Sequence, residues 1–253
     1  MPVTYVGAAG SLNANSTSGI TRAWPAGHQS GDVAIIICTY SKGTTRTAPT
    51  VAGHTVYEFP MSRLTGSDVH DIGVWFVYAT SGSMGAITYD ALTTNGVSPA
   101  SYRNTALVFR GTGGSGSTYP FSKFEVSYKN TADTGAAFPS ITTTDNDTMI
   151  LWYGLNTDPT SSAGATFSGT YANADVTSLT QVNNTQSTSN DAAGTALLYG
   201  TKASAGSVGA GSGFTMANSS KNVMITMAVG GTPYTPPTSA SFNARWYSRR
   251  RRA

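Results

Sequence analysis

The chain has 253 residues, of which 11% are charged and 39% are hydrophobic. An average soluble domain has about 25% charged residues, so a fold built on charged amphipathic helices is not expected, while the hydrophobic fraction is too high for a disordered chain. The last nine residues hold five arginines, which leaves 10 basic against 12 acidic residues elsewhere and excludes the positively coated body usual in nucleic-acid-binding folds.

Short runs rich in β-branched and aromatic residues predict strands along the whole chain. In chain order these segments are residues 3–8, 32–40, 54–59, 71–80, 86–92, 105–111, 139–144, 147–155, 195–202 and 222–231. The segment at 32–40, DVAIIICTY, is apolar without alternation, which is typical of a central strand buried on both faces. Turn-forming stretches separate the strands, among them 111–117, 156–164 and 206–213.

The predicted fold class is all-β. Leucine is scarce and the only glutamates are Glu58 and Glu125, so the usual helix formers are missing. About eight to ten strands with irregular loops favour a two-sheet β-sandwich, jelly-roll-like in its connectivity, with a closed barrel as the alternative. We expect one domain over residues 1–231; alternatively, the Gly/Ser-rich stretch at 111–120 links two domains.

The sequence pattern changes after residue 231. Residues 232–253 contain three prolines and no strand alternation, which predicts an extended arm that leaves the domain. Its arginine-rich end has three interpretations: a solvated segment that increases solubility, a docking arm, or a contact to nucleic-acid phosphates. We favour the docking arm, because tryptophan, tyrosine and arginine dominate interface hot spots and arginine binds carboxylates bidentately. The predicted partner-binding residues are Phe242, Arg245, Trp246, Tyr247, Arg249, Arg250, Arg251 and Arg252.

The sequence contains no recognisable motif of a catalytic or metal site. Asp68, His70 and Asp71 would supply at most two ligands on one face of a strand, and the simpler interpretation is a polar entry to that strand. Asp145 and Asp147 lack the further acidic ligands of a calcium loop, so we interpret them as part of a turn. Nucleophile-elbow, Walker and dinucleotide-binding fingerprints are missing. We therefore expect no enzymatic activity, no cofactor and no metal.

The single cysteine, Cys38, excludes an intrachain disulfide and lies in an apolar run, which predicts a small buried side chain. The N-terminal residues show neither the basic region nor the long apolar region of a signal peptide. No apolar stretch approaches the roughly 20 residues needed to span a bilayer. The sequence therefore favours a soluble protein made in a cytoplasm.

Two short patterns stand out in the first half of the chain. Residues 25–32 read P-x-G-x-x-x-G-D before a hydrophobic strand, and residues 109–111 read F-R-G. The residues concerned are Pro25, Gly27, Gly31, Asp32, Phe109, Arg110 and Gly111. Together with the segments VTYVGAAGS near the N-terminus and VMITMAVGG near residue 231, these patterns resemble a group of tailed-bacteriophage virion proteins that have a β-sandwich fold, and the resemblance covers residues 3–231.

This resemblance implies a virion structural protein, either a capsid decoration (cement) protein or a tail- or fibre-associated protein. It implies the major capsid protein or neighbouring virion subunits as partners, and a homo-oligomer, for instance a trimer, on a particle assembled in the host cytoplasm. Nucleic acid and membrane are not expected as partners. The competing class is a carbohydrate-binding or adhesin module, in which exposed rings such as Trp24, Trp75, Trp152 or Trp246 would stack on sugars.

Overall fold

A computed structural model describes residues 2–9, 20–40, 48–59, 71–89, 103–135, 137–158, 167–186 and 192–232. These residues form sixteen β-strands and no helix, which confirms the all-β class. The first eight strands are β1 (Thr4–Ala8), β2 (Ile20–Arg22), β3 (Val33–Tyr40), β4 (Thr50–Val51), β5 (Tyr57–Phe59), β6 (Asp71–Tyr78), β7 (Ile87–Tyr89) and β8 (Arg103–Arg110). The other eight are β9 (Phe121–Gly135), β10 (Ile141–Thr143), β11 (Thr148–Asp158), β12 (Phe167–Ser168), β13 (Thr177–Gln186), β14 (Ala192–Lys202), β15 (Gly206–Val208) and β16 (Thr215–Val229).

Every predicted strand segment contains a strand, but the predicted number of strands is too low. The strands without a predicted counterpart are β2, β4, β9, β12, β13 and β15. Two predicted turn stretches are also partly wrong, because β11 continues to Asp158 and β15 occupies residues 206–208. The missed strands are mostly short or polar, so their own residues give only a weak indication of a strand. Pairing with a neighbouring strand is what forms them.

Two antiparallel sheets stack face to face and form the predicted sandwich. Sheet I has the strand order β1-β8-β3-β6-β5. Sheet II has the order β16-β11-β14-β13, and both β9 and β12 also pair with β16. The inner faces of the two sheets share one hydrophobic core, to which each sheet contributes large apolar side chains such as Ile35, Phe76, Leu151 and Met227. Over the described ranges, both main sheets have open strand orders, so the structure there is a sandwich of separate sheets and not a closed barrel.

The outer faces of both main sheets are covered as well. A three-stranded sheet, β2-β7-β4, encloses a second core on sheet I, which contains Ile36, Cys38 and Trp75. The strands β10 and β15, together with nearby loops, enclose a third core on sheet II, which contains Trp152 and Phe214. Because β3 is covered on both sides, it has no alternation, and the predictions for DVAIIICTY and for a buried Cys38 are confirmed.

One end of the sandwich is closed by short connections and by residues 111–120, which cross from sheet I to sheet II. The Val3 N–H donates to the Asp147 carbonyl oxygen at 3.1 Å, so the chain entering β1 meets the chain entering β11. The Gly230 N–H donates to the Pro120 carbonyl oxygen at 2.6 Å, which joins the end of β16 to the start of β9. We call this region the crossover end.

Candidate functional site at the crossover end

Residues of the P-x-G-x-x-x-G-D pattern are brought together at the crossover end by Arg110. Its Nε donates to Asp32 Oδ1 at 2.8 Å, and its Nη2 donates to Asp32 Oδ2 at 2.9 Å and to the Gly27 carbonyl oxygen at 2.8 Å. The Gln29 N–H also donates to Asp32, at 2.9 Å. Gly27 and Gly31 have φ angles of +83° and +88°, which only glycine adopts without strain. The pattern therefore encodes the turn that precedes β3.

Asp32 is completely buried, whereas the Arg110 side chain is 38% exposed. A buried carboxylate is tolerated when charge-assisted hydrogen bonds satisfy its oxygens, and here both oxygens accept such bonds. The hydrogen bond to Asp32 in turn raises the pKa of Arg110. Both oxygens of Asp32 are thus engaged in holding β8 against the turn before β3.

A second carboxylate fixes the last described residue. The Thr232 N–H donates to Asp145 Oδ2 at 3.0 Å, and the Thr232 hydroxyl donates to Asp145 Oδ1 at 3.1 Å. The Thr144 hydroxyl adds a bond of 2.8 Å to Oδ2. These bonds, the Thr232 N–H first, lower the pKa of Asp145. Gly231 has a φ of +79°, and a Cβ there would lie 2.6 Å from Asp145 Oδ2, so only glycine fits beside this carboxylate.

The residues between Thr144 and β11 form a turn, as the sequence indicates. Asn146 Oδ1 accepts the Ala205 N–H at 2.8 Å, and Asp147 has a φ of +56°. The side chains of this turn therefore bond backbone amides that are distant in sequence. In the described part of the chain, no group of three His, Cys, Asp or Glu residues could hold a metal ion. Asp68 and His70 lie outside the described residues.

The predicted partner-binding residues all lie outside the described residues. They are Phe242, Arg245, Trp246, Tyr247, Arg249, Arg250, Arg251 and Arg252. They belong to the segment 233–253, which follows directly after Thr232. The structure shows that Thr232 itself is hydrogen-bonded to Asp145. Sequence reasoning recognised Asp145 as a turn residue but missed this contact, because 87 positions separate the two residues and no local pattern links them.

The described tryptophans do not form an exposed aromatic surface. Trp24, Trp75 and Trp152 are 7%, 1% and 0% exposed, and each belongs to a core between a main sheet and its cover. A ring stacks on a sugar only when one of its faces is accessible. These three side chains are therefore core residues, and Trp246 lies outside the described residues.

Comparisons with protein-family models, with curated proteins and with solved structures found no match. Within the described ranges, no helix is long and apolar enough to cross a membrane. The structure defines the described residues as an all-β sandwich. At its crossover end lie the ion pair of Asp32 with Arg110 and the bonds from Thr232 to Asp145, which we call the Asp145 anchor. The Asp145 anchor fixes backbone position at the place where residues 233–253 begin.

Proposed function

We propose that this chain is a non-enzymatic structural protein of a bacteriophage virion, and specifically a capsid decoration protein that docks on the particle partly through residues 233–253. The resemblance of residues 3–231 to tailed-phage virion proteins supports the virion role. The observation that carries the docking role is the anchor of Thr232 on Asp145, because it gives the arginine-rich segment a fixed starting point.

A fixed starting point increases the effectiveness of a docking segment. The 21 residues after Thr232 span at most about 75 Å when fully extended, so their arginines search a limited volume around the crossover end. Once the sandwich touches a surface, binding of the segment becomes an intramolecular event with a raised effective concentration. The segment carries five of the 15 basic residues in the chain, so attraction to an acidic surface is concentrated there.

The proposed partners are the major capsid protein or neighbouring virion subunits, and a homo-oligomer such as a trimer would multiply each contact. The proposed location is the virion, after assembly in the host cytoplasm. A chain with one cysteine, Cys38, needs no oxidising compartment for its fold, which is consistent with assembly there.

Attachment to a tail or fibre remains the alternative place on the particle, since the same anchored segment would serve it. A carbohydrate-binding or adhesin role has less support. Three of the four tryptophans that could form a sugar platform are buried in cores. Nucleic acid is not proposed as the partner, because one short basic segment on a slightly acidic body offers few phosphate contacts.

Co-sedimentation with particles that lack this protein tests the proposal. The truncated chain should end after Thr232, because this keeps the bond to Asp145 and removes only the segment. A variant with Arg249 to Arg252 replaced by lysine serves as the matched control, since it keeps the charge but loses the bidentate geometry. We expect the full chain to bind capsids, the lysine variant to bind more weakly, and the truncated chain to remain in the supernatant.

The other outcomes have defined meanings. Equal binding of the full and truncated chains would place the contacts on the sandwich and overturn the docking role of the segment. Binding to isolated tails but not to capsids would support the tail alternative. Failure of every form to bind either particle would contradict the virion proposal, and a glycan array would then test the adhesin alternative.

A further inference from the structure

The strand order repeats itself with an offset of eight strands. Sheet I runs β1-β8-β3-β6-β5, and the corresponding strands of sheet II run β9-β16-β11-β14-β13. The covers repeat the offset in one pair, because β2 pairs with β7 over sheet I and β10 pairs with β15 over sheet II. The units differ at the next strand, since β4 joins β7 in the first cover while β12 pairs with β16 of sheet II. Chain connectivity therefore divides the described residues into two units of eight strands, unit A (residues 2–112) and unit B (residues 119–232).

The two units share an irregularity at the same place in the ladder. In unit A, Tyr5 pairs with Phe109, and the register of β1 and β8 then shifts by one residue. In unit B, Phe121 pairs with Val229, and the register of β9 and β16 shifts at the same point. A β-bulge at one particular pair is not required by a strand order, so its repetition indicates a common backbone plan.

Backbone angles outside the ladders also correspond. Two residues beyond the paired Phe109 and Val229 lie Gly111 and Gly231, with φ angles of +81° and +79°. The central strands correspond in the same way, because Val33 of β3 pairs with Phe109 and Met149 of β11 pairs with Val229. The residue two positions before Val33 is Gly31, with a φ of +88°, and the residue two positions before Met149 is Asp147, with a φ of +56°. The positive φ of Asp147, unusual for a residue other than glycine, is thus the angle that the equivalent position has in unit A.

The contact between the units has the form of a two-fold symmetric interface. Tyr5 of unit A contacts Tyr199 of unit B, with ring centroids 4.5 Å apart. By strand order and register, Tyr5 corresponds to Phe121, and Tyr199 corresponds to Phe76. The equivalent contact exists: Phe76 and Phe121 have ring centroids 6.5 Å apart. Reciprocal contacts of this kind define an isologous interface, in which one surface binds a copy of itself.

We infer that residues 2–232 are two tandem copies of one jelly-roll unit, and that the inner face of each main sheet is an interface for a second copy of that unit. In unit A, the order β1-β8-β3-β6 faces β2-β7-β4, which matches seven strands of an eight-stranded jelly roll, and the remaining strand, β5, pairs with β6 at the edge of sheet I. The chain is thus a covalently joined pseudo-dimer. This inference does not depend on the proposed virion role.

The composition of the shared core explains why the units stay together. It contains 22 buried residues, eleven from each unit. A separated unit would expose a continuous apolar face, which folded monomers rarely do. Residues 113–118 connect the two units, and the exposed Gly113 and Gly116 in this connection have open space around them. The core, and not this connection, is therefore expected to hold the two units together.

Cleavage of the full-length protein at this connection tests the inference. A protease site inserted between Gly113 and Gly116 cuts the folded chain once, between the units. We expect the two pieces to elute as one species at about 1 µM in native buffer, to separate in urea, and to reassociate on dilution. After cleavage, the urea midpoint should depend on protein concentration, because unfolding then releases two molecules.

The variant Phe121→Asp provides the second measurement, since it places a charge in the proposed interface. Its cleaved pieces should separate in native buffer, with a loss of at least tenfold in association relative to the cleaved wild type. The inference is overturned if the cleaved wild-type pieces separate in native buffer, if they fail to reassociate from urea, or if the cleaved variant associates as tightly as the wild type.

Discussion

Replacing Gly73 by alanine tests how tightly the outer core of sheet I is packed. Gly73 lies in β6 two residues before Trp75, so both positions face the same side of the sheet. A Cβ at position 73 would overlap ring carbons Cη2 and Cζ3 of Trp75 and would lie 2.8 Å from Cζ2. Trp75 is 1% exposed, and its rigid ring cannot move without displacing its neighbours. The alanine variant is therefore expected to be destabilised.

The expected loss is about 2–3 kcal/mol, near the upper end of the range for overpacked cores. A chain of this size loses about 2–4 °C of melting temperature per kcal/mol, so the melting temperature should fall by about 5–10 °C. Gly73 has no positive φ, so backbone strain adds nothing. Gly82→Ala is the control: its new Cβ would lie 3.3 Å from the His28 carbonyl oxygen, a close contact that a shift of a few tenths of an ångström relieves, and we expect a change within about 0.5 kcal/mol.

A double-mutant cycle with Trp75→Leu isolates the cause. The smaller leucine leaves room for the new methyl group, so Gly73→Ala should stabilise the Trp75→Leu protein by about 0.4–1 kcal/mol through the unfolded state. Urea denaturation monitored by circular dichroism measures all four proteins. Equal destabilisation by Gly73→Ala in both backgrounds would refute the reasoning, because the overlap with the Trp75 ring would then not be its cause.

Three further predictions concern single side chains. Because the Thr232 bonds lower the pKa of Asp145, the anchor is complete above the carboxyl's ordinary pKa near 4 and is lost as the pH falls through the lowered value. The Thr232 amide should exchange hydrogen faster in Asp145→Ala, which removes both acceptor oxygens, and an unchanged rate would contradict the anchor. Burial raises the pKa of Tyr78 and of Tyr171 to about 12, so both phenols should remain mostly neutral at pH 11 in a spectrophotometric titration. The folded state should therefore lose stability as the pH rises from about 10, where an exposed tyrosine ionises, through 12. Cys38 is 1% exposed and should react with a thiol reagent only after urea is added; rapid reaction of the native protein would contradict its burial.

Local sequence was sufficient for the strands whose own residues carry the signal. The apolar run that became β3 and the aromatic run that became β6 were predicted within two residues at each end. Local sequence failed for β13, TSLTQVNNTQ, because this polar strand is formed through pairing with β14. It failed also for β9, whose 15 residues become a strand through their long pairing with β16.

The sequence by itself determined that the chain is all-β, that Cys38 is buried, and that the arginines are concentrated in the last nine residues. These properties depend on composition and on short-range periodicity, which a single segment displays. Only the tertiary structure decided the contact of Asp145 with Thr232, the pairing of Asp32 with Arg110, and the two-fold relation between the units. Each of these features joins residues that are far apart in the chain. Strand order and register depend on how distant segments pair, so the residues of a single segment do not indicate them.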